Sequence, residues 1–100
     1  MTVKIQPNEK GTPVGKLADA ELVFDAAEGA LEGTRLIGFA IWERRTGNGR
    51  NVTYPSRQYT VNGERRAFAL LRPTDNNIGH ERVRDLILAA YAEHEVAVRA

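Results

Sequence analysis

The stretch Arg35 to Arg45, RLIGFAIWERR, constrains the fold of this chain more than any other. Read as a strand, it is apolar on both faces, with Ile37, Phe39 and Ile41 on one side and Leu36, Ala40 and Trp42 on the other. Such a strand belongs in the middle of a sheet with both sides covered. Cover is scarce here, because only one helix can be read. After possible N-cap oxygens at Asp75, Asn76 and Asn77, the residues Val83, Leu86, Ile87, Ala90, Tyr91 and His94 recur at spacings of three and four. That stripe predicts a helix over about 78–97. A helix about 10 Å wide covers one sheet face and not two. A second copy of the chain is the simplest cover for the other face, and open sheet edges give it a place to dock, so a homodimer is expected.

The rest of the chain reads as strands and turns. Val3 to Ile5 starts a strand, and Leu17 to Asp25 alternates, with Ala18, Ala20, Leu22 and Phe24 opposed to Asp19 and Glu21. Ala26 to Gly33, small, acidic and broken by two glycines, reads as a loop. Thr46-Gly47-Asn48-Gly49 is a turn, and Asn51 to Tyr54 is a short strand that stops at Pro55. Tyr59–Val61 and Arg66–Leu71 flank Asn62-Gly63, the dipeptide that two-residue hairpin turns require because both positions need positive φ. Pro73 ends the last strand. The expected fold is α+β: one domain over residues 1–100, a small antiparallel sheet with one C-terminal helix packed on it, dimeric. A length of 100 residues with 42% hydrophobic content supports one core.

Composition removes many functions. The absence of cysteine excludes disulfide scaffolds, zinc ribbons and thiol chemistry. No apolar run reaches the roughly eighteen residues of a membrane span. Met1 to Lys10 lacks an apolar core of signal-peptide length, so a cytoplasmic protein without membrane association is expected. His80 and His94 lie about 21 Å apart along the predicted helix and cannot share a metal. His80-Glu81 opens like a zincin motif but has no second histidine four positions on, and Gly47-Asn48-Gly49 lacks the Lys-Ser/Thr of a phosphate loop. Ser56, the only serine, has no triad context. Asp19 and Glu21 share a face, but strand alternation alone places them there. Phe39 and Trp42 on a central strand suggest an RNA-recognition module, yet that module needs a helix between its first two strands and none is present. No enzyme activity, cofactor or small-molecule substrate is expected.

The charge distribution carries the functional signal. The net charge is only +1. Residues 1–33 hold three lysines against six acids, residues 34–79 eight arginines against three acids, and residues 80–100 three arginines against four acids. Arginine's planar fork suits phosphate, although a high-GC genome also enriches it. Arg44, Arg45, Arg50, Arg57, Arg65, Arg66 and Arg72 fall at strand ends or beside turns, which gather at the rim of a small sheet. Arg82 and Arg84 open the helix, where the dipole and free N–H groups favour anions. Glu43, Glu64 and Glu81 cannot neutralise nine arginines, so one anion-attracting edge is expected.

Pro55-Ser56-Arg57 follows a short strand, and the run from Glu81 to Tyr91 sets basic, apolar, acidic and tyrosine positions along the C-terminal helix. In this order the motifs resemble the SpoVG family of small bacterial septation and sporulation regulators, with Pro55-Ser56-Arg57 standing where that family carries a Pro-Ser-Lys/Arg element. Glu81-Arg82-Val83-Arg84-Asp85-Leu86-Ile87-Leu88-Ala89-Ala90-Tyr91 is similar to the family's C-terminal helix in its basic, apolar, acidic and tyrosine positions. The likeness runs from about Leu17 to Tyr91. It implies a dimer of small sheets, with DNA or RNA binding and a regulatory role. Arg57 matches the Pro-Ser-basic position and Arg82 the basic residue of the helix start, with His80 and Arg84 flanking it.

Two functions follow. The first is a nucleic-acid-binding regulator that contacts phosphates through Arg57, Arg82 and Arg84, with Arg44, Arg45, Arg65 and Arg66 as further contacts. The second is a protein–protein interaction module that uses the sheet edge or helix face, favoured by the near-neutral charge and by Glu93 and Glu95 at the C-terminal end.

Overall fold

Residues 1–47 and 49–99 are described, Arg99 by its backbone alone, in a computed structural model. Asn48 of the Thr46–Gly49 turn lies outside the described residues. The strands β1 (Thr2–Pro7), β2 (Lys16–Val23), β3 (Arg35–Glu43) and β4 (Arg50–Thr53) form an antiparallel meander in the order β1-β2-β3-β4. A separate two-stranded sheet pairs β5 (Ser56–Val61) with β6 (Glu64–Ala69), and α1 (Ile78–Arg99) ends the chain. The fold is therefore α+β, a small antiparallel sheet with one C-terminal helix.

Alternation in β2 works as its sequence dictates. Ala18, Ala20 and Leu22 are buried, while Asp19 on the opposite face pairs with Lys16 at 2.7 Å. The connection to β3, expected as a loop, contains a short 3₁₀ segment, Ala26–Leu31. A capping box starts it: Asp25 Oδ1 accepts from the Ala27 N–H at 3.0 Å, and Glu28 Oε1 accepts from the Asp25 N–H at 2.8 Å.

In β3 the structure departs from simple alternation. Ala20 pairs with Phe39, but Leu22 pairs with Leu36, so three steps of β3 oppose two of β2. This is a bulge, and it falls at Ile37-Gly38, where Gly38 takes φ +104°. The bulge shifts the face by one residue. Leu36 joins Phe39 and Ile41 against the core, and Ile37 is expelled with 63% of its surface exposed. The expected grouping of Ile37 with Phe39 and Ile41 is thus corrected. The second face keeps Ala40 and Trp42, loses Leu36 and gains the expelled Ile37, among the polar neighbours Lys4, Gln6, Asp19, Glu21, Asn51 and Thr53.

Helix α1 approaches the two outer strands β1 and β4, and the side chains of Phe39 and Ile41 fill the space between. Asn76 Oδ1 caps its start by accepting from the Ile78 N–H at 3.0 Å. Ile87 and Tyr91 are buried, with Val83 and Leu88 half-buried against the same cluster. Leu86, expected in the stripe, is 40% exposed. The buried arc is rotated toward Leu88 because His80, Arg84 and Glu95 on that side meet β4 and the chain before the helix.

Candidate nucleic-acid interface

The site begins where β4 ends. Tyr54 packs edge-on against buried Phe39, with ring centroids 5.5 Å apart, and tilts against His80 at 4.5 Å. Its hydroxyl donates to the His80 carbonyl. His80 Nε2 in turn donates to the Leu71 carbonyl at 2.5 Å, which fixes the proton on that nitrogen because a carbonyl only accepts. These contacts tie three segments together: the end of β4, the chain leaving β6 and the first turn of α1. Partial burial pushes the Tyr54 phenol above its ordinary value, with the Arg84 cation opposing the shift.

Pro55 follows and is buried, resting over Gly38. A Cβ on Gly38 would lie 2.9 Å from the Pro55 Cβ, so the bulge glycine is also the seat of this proline. The Leu70 N–H donates to the Pro55 carbonyl at 3.0 Å and closes the root of a hairpin. The hairpin then leaves the domain. No residue from Ser56 to Phe68 is buried. Six residues per strand give an arm about 20 Å long. The radius of gyration is 15.0 Å, against about 13 Å for a compact chain of this length. At the tip Asn62 (φ +51°) and Gly63 (φ +80°) make the expected two-residue turn.

Register sorts the arm into two faces. One carries Arg57, Tyr59, Val61, Glu64, Arg66 and Phe68. The other carries Ser56, Gln58, Thr60, Arg65, Ala67 and Ala69. The Arg72 guanidinium sits 4.9 Å over the Phe68 ring near the root. Among the described residues Arg57 and Arg65 form no ion pair. Arg66 reaches Glu64 at 3.4 Å, with both side chains exposed, which neutralises little.

The nine arginines do not share one edge. Arg57 stands near the arm's root, and Arg65 and Arg66 near its tip. Arg82 and Arg84 start the helix beside the root, but two helical positions are about 200° apart, so they point in nearly opposite directions. Arg82 is exposed. Arg84 is half-buried, influences Tyr54 and lies 3.6 Å from Asp85. Arg44 and Arg45 lie at the β3–β4 turn, at the far end of β4 from the arm's root. At that end Arg50 pairs with Glu95 at 2.8 Å and stacks over Tyr91 at 5.1 Å. His80 and Glu95 are about 22 Å apart along the helix, which measures the separation of the two arginine groups. The expected single rim is corrected to an arm-and-helix-start group and a separate turn group.

No charge or motif signal in the sequence marks the polar triplet Ser56, Gln58 and Thr60. The Asn-Gly register could have found it, since pairing Val61 with Glu64 fixes every face upstream. Among the described residues no group of three or more His, Asp or Glu side chains is placed to hold a metal, and no helix is long and apolar enough to cross a membrane. No protein-family model matches the chain, and no curated protein or solved structure matches it either.

Proposed function

We propose that this chain is a homodimeric nucleic-acid-binding regulator similar to the SpoVG family, without enzymatic activity. The observation that carries the reading is the β5–β6 arm. It stands clear of the domain and holds Arg57, Arg65 and Arg66 against the single acid Glu64, a balance of +2. Phosphates are contacted first by these arginines and by exposed Arg82 at the adjacent helix start. Arg44 and Arg45 form a second, distant contact, and Arg84 supports the root of the arm. The homodimer covers the apolar residues of the arm, which an isolated hairpin cannot support in water. Affinity for a mixed-sequence nucleic-acid duplex, measured at two salt concentrations, tests the reading. Binding that weakens steeply with salt is expected, and no binding even at low salt refutes it.

A second reading has its own observation. Tyr59, Val61, Phe68 and Leu70 are all large apolar side chains exposed on or beside the arm. They favour a protein-interaction module. In that case the chain captures a partner protein through the arm and shows no salt-dependent duplex binding.

A further inference from the structure

The two faces of the arm differ in chemistry, and that difference points to one ligand geometry. We infer that the β5–β6 ribbon enters the major groove of duplex DNA with its Ser56, Gln58, Thr60 and Arg65 face toward the base edges. The inference rests on the nucleic-acid reading above and narrows it to B-form DNA and to sequence readout.

The argument starts from size. The major groove is about 12 Å wide and admits a two-stranded antiparallel ribbon, whose strands are about 4.8 Å apart. This ribbon is free to enter, because every residue from Ser56 to Phe68 is exposed and neither strand pairs with the four-stranded sheet. Spacing comes next. Same-face residues on a strand are two positions apart, about 6.8 Å, close to two base-pair rises of about 3.4 Å. Ser56, Gln58 and Thr60 would therefore meet every second base pair along the groove.

Side-chain chemistry agrees. Gln58 can pair bidentately with adenine N6 and N7, Arg65 with guanine O6 and N7, and the two hydroxyls with either kind of edge. Opposite Ser56 and Gln58 the register places Ala69 and Ala67. Those small side chains let β6 sit deep without a clash. The other face carries one arginine per strand, Arg57 on β5 and Arg66 on β6, at opposite edges of the ribbon. The arm's +2 balance complements both walls. The deep, narrow groove of A-form RNA offers no such entry.

The test uses the full chain in three measurements. Affinities are compared for a mixed-sequence DNA duplex and the RNA duplex of the same sequence. Competition is run with methyl green, which occupies the major groove, and with netropsin, which occupies the minor groove. Preferred sequences are selected from a random DNA pool, and Gln58→Ala and Arg65→Ala are measured on the selected and the mixed duplexes. The expected result is preference for DNA and displacement by methyl green alone. Gln58→Ala should lose roughly five- to hundredfold on the selected duplex and much less on the mixed one, and Arg65→Ala should lose on both. If salt-dependent binding is present but RNA binds equally well, netropsin competes, or Gln58→Ala binds the selected duplex like the wild type, the groove assignment is overturned and the general reading survives. If no duplex binds at low salt, both fall.

Discussion

Replacing Gly38 by alanine tests whether the bulge and the arm's root are one device. Two costs meet at this position. The backbone sits at φ +104°, where an L side chain is strained, at about 1–3 kcal/mol. The new methyl would stand 2.9 Å from the Pro55 Cβ and 3.4 Å from its Cα. Ordinary carbon contacts are about 3.5–4.0 Å, so the overlap is that of an overpacked core site, about 1–3 kcal/mol. Pro55 is a buried ring and cannot yield by a rotamer change. The summed cost is about 2–6 kcal/mol, a large share of a typical 5–15 kcal/mol stability. Gly33→Ala is the control, since Gly33 has φ +85° with nothing within 4 Å and incurs only the backbone strain. The assay is urea unfolding followed by fluorescence of Trp42, the only tryptophan, four residues along the same strand. Equal losses for the two variants would show that Pro55 does not rest on Gly38, and an unchanged midpoint for Gly38→Ala would refute the bulge itself.

Three further outcomes are expected. Gly63→Val strains the turn by about 1–2 kcal/mol, and because the arm is not packed on the core, faster amide exchange should be confined to residues 56–69 while the Trp42 transition barely moves. Tyr54→Phe removes the hydroxyl's bond to the His80 carbonyl and should cost about 1 kcal/mol. The wild type should also lose stability as pH rises from 10.0 through the raised phenol value, and the phenylalanine variant should lack that loss, read from denaturation midpoints across the alkaline range. Arg82→Ala should lower the slope of log affinity against log salt by about one. Arg84→Ala should leave that slope unchanged and push the Tyr54 phenol still higher, because the Arg84 cation lowers it in the wild type, as tyrosinate absorbance would record.

What could be read from the sequence was set locally. The Asn62-Gly63 turn, the alternation of β2 and the N-cap ahead of α1 depend on residues within a few positions of one another. The structure has each of them. The bulge was illegible because alternation has no signal for an inserted residue except a glycine, and Gly38 reads equally well as an ordinary interruption. Its reason lies seventeen positions away in Pro55. The rotation of α1 that exposes Leu86 follows from contacts of His80, Arg84 and Glu95 with segments distant in sequence. Of the arginines expected at strand ends or beside turns, Arg44, Arg45, Arg50 and Arg65 lie there, while Arg57 and Arg66 lie within β5 and β6. Strand ends point both ways along a sheet, however, and only the antiparallel path of β4 separates Arg44 and Arg45 from Arg57. The opposed directions of Arg82 and Arg84 were already implied by helical geometry.

The arm also sets a demand that its polar face cannot meet. A lone two-stranded hairpin is marginal in water, and this one exposes Tyr59, Val61 and Phe68 on a single face. If the other face takes DNA, the apolar one needs cover from elsewhere, and a second copy supplies it symmetrically. Phe68→Glu separates the two faces. In the isolated chain Phe68 is 47% exposed beside Arg72, so a glutamate there is tolerated and finds a cation. In a dimer closed over this face the same carboxylate is taken from water, which weakens association by about a hundredfold or more. Sedimentation at several protein concentrations reads this directly, with Gln58→Ala on the opposite face as the variant that leaves association unchanged. A wild type that stays monomeric at high micromolar concentration, or a Phe68→Glu variant that dimerises like the wild type, would show that this face is not the interface.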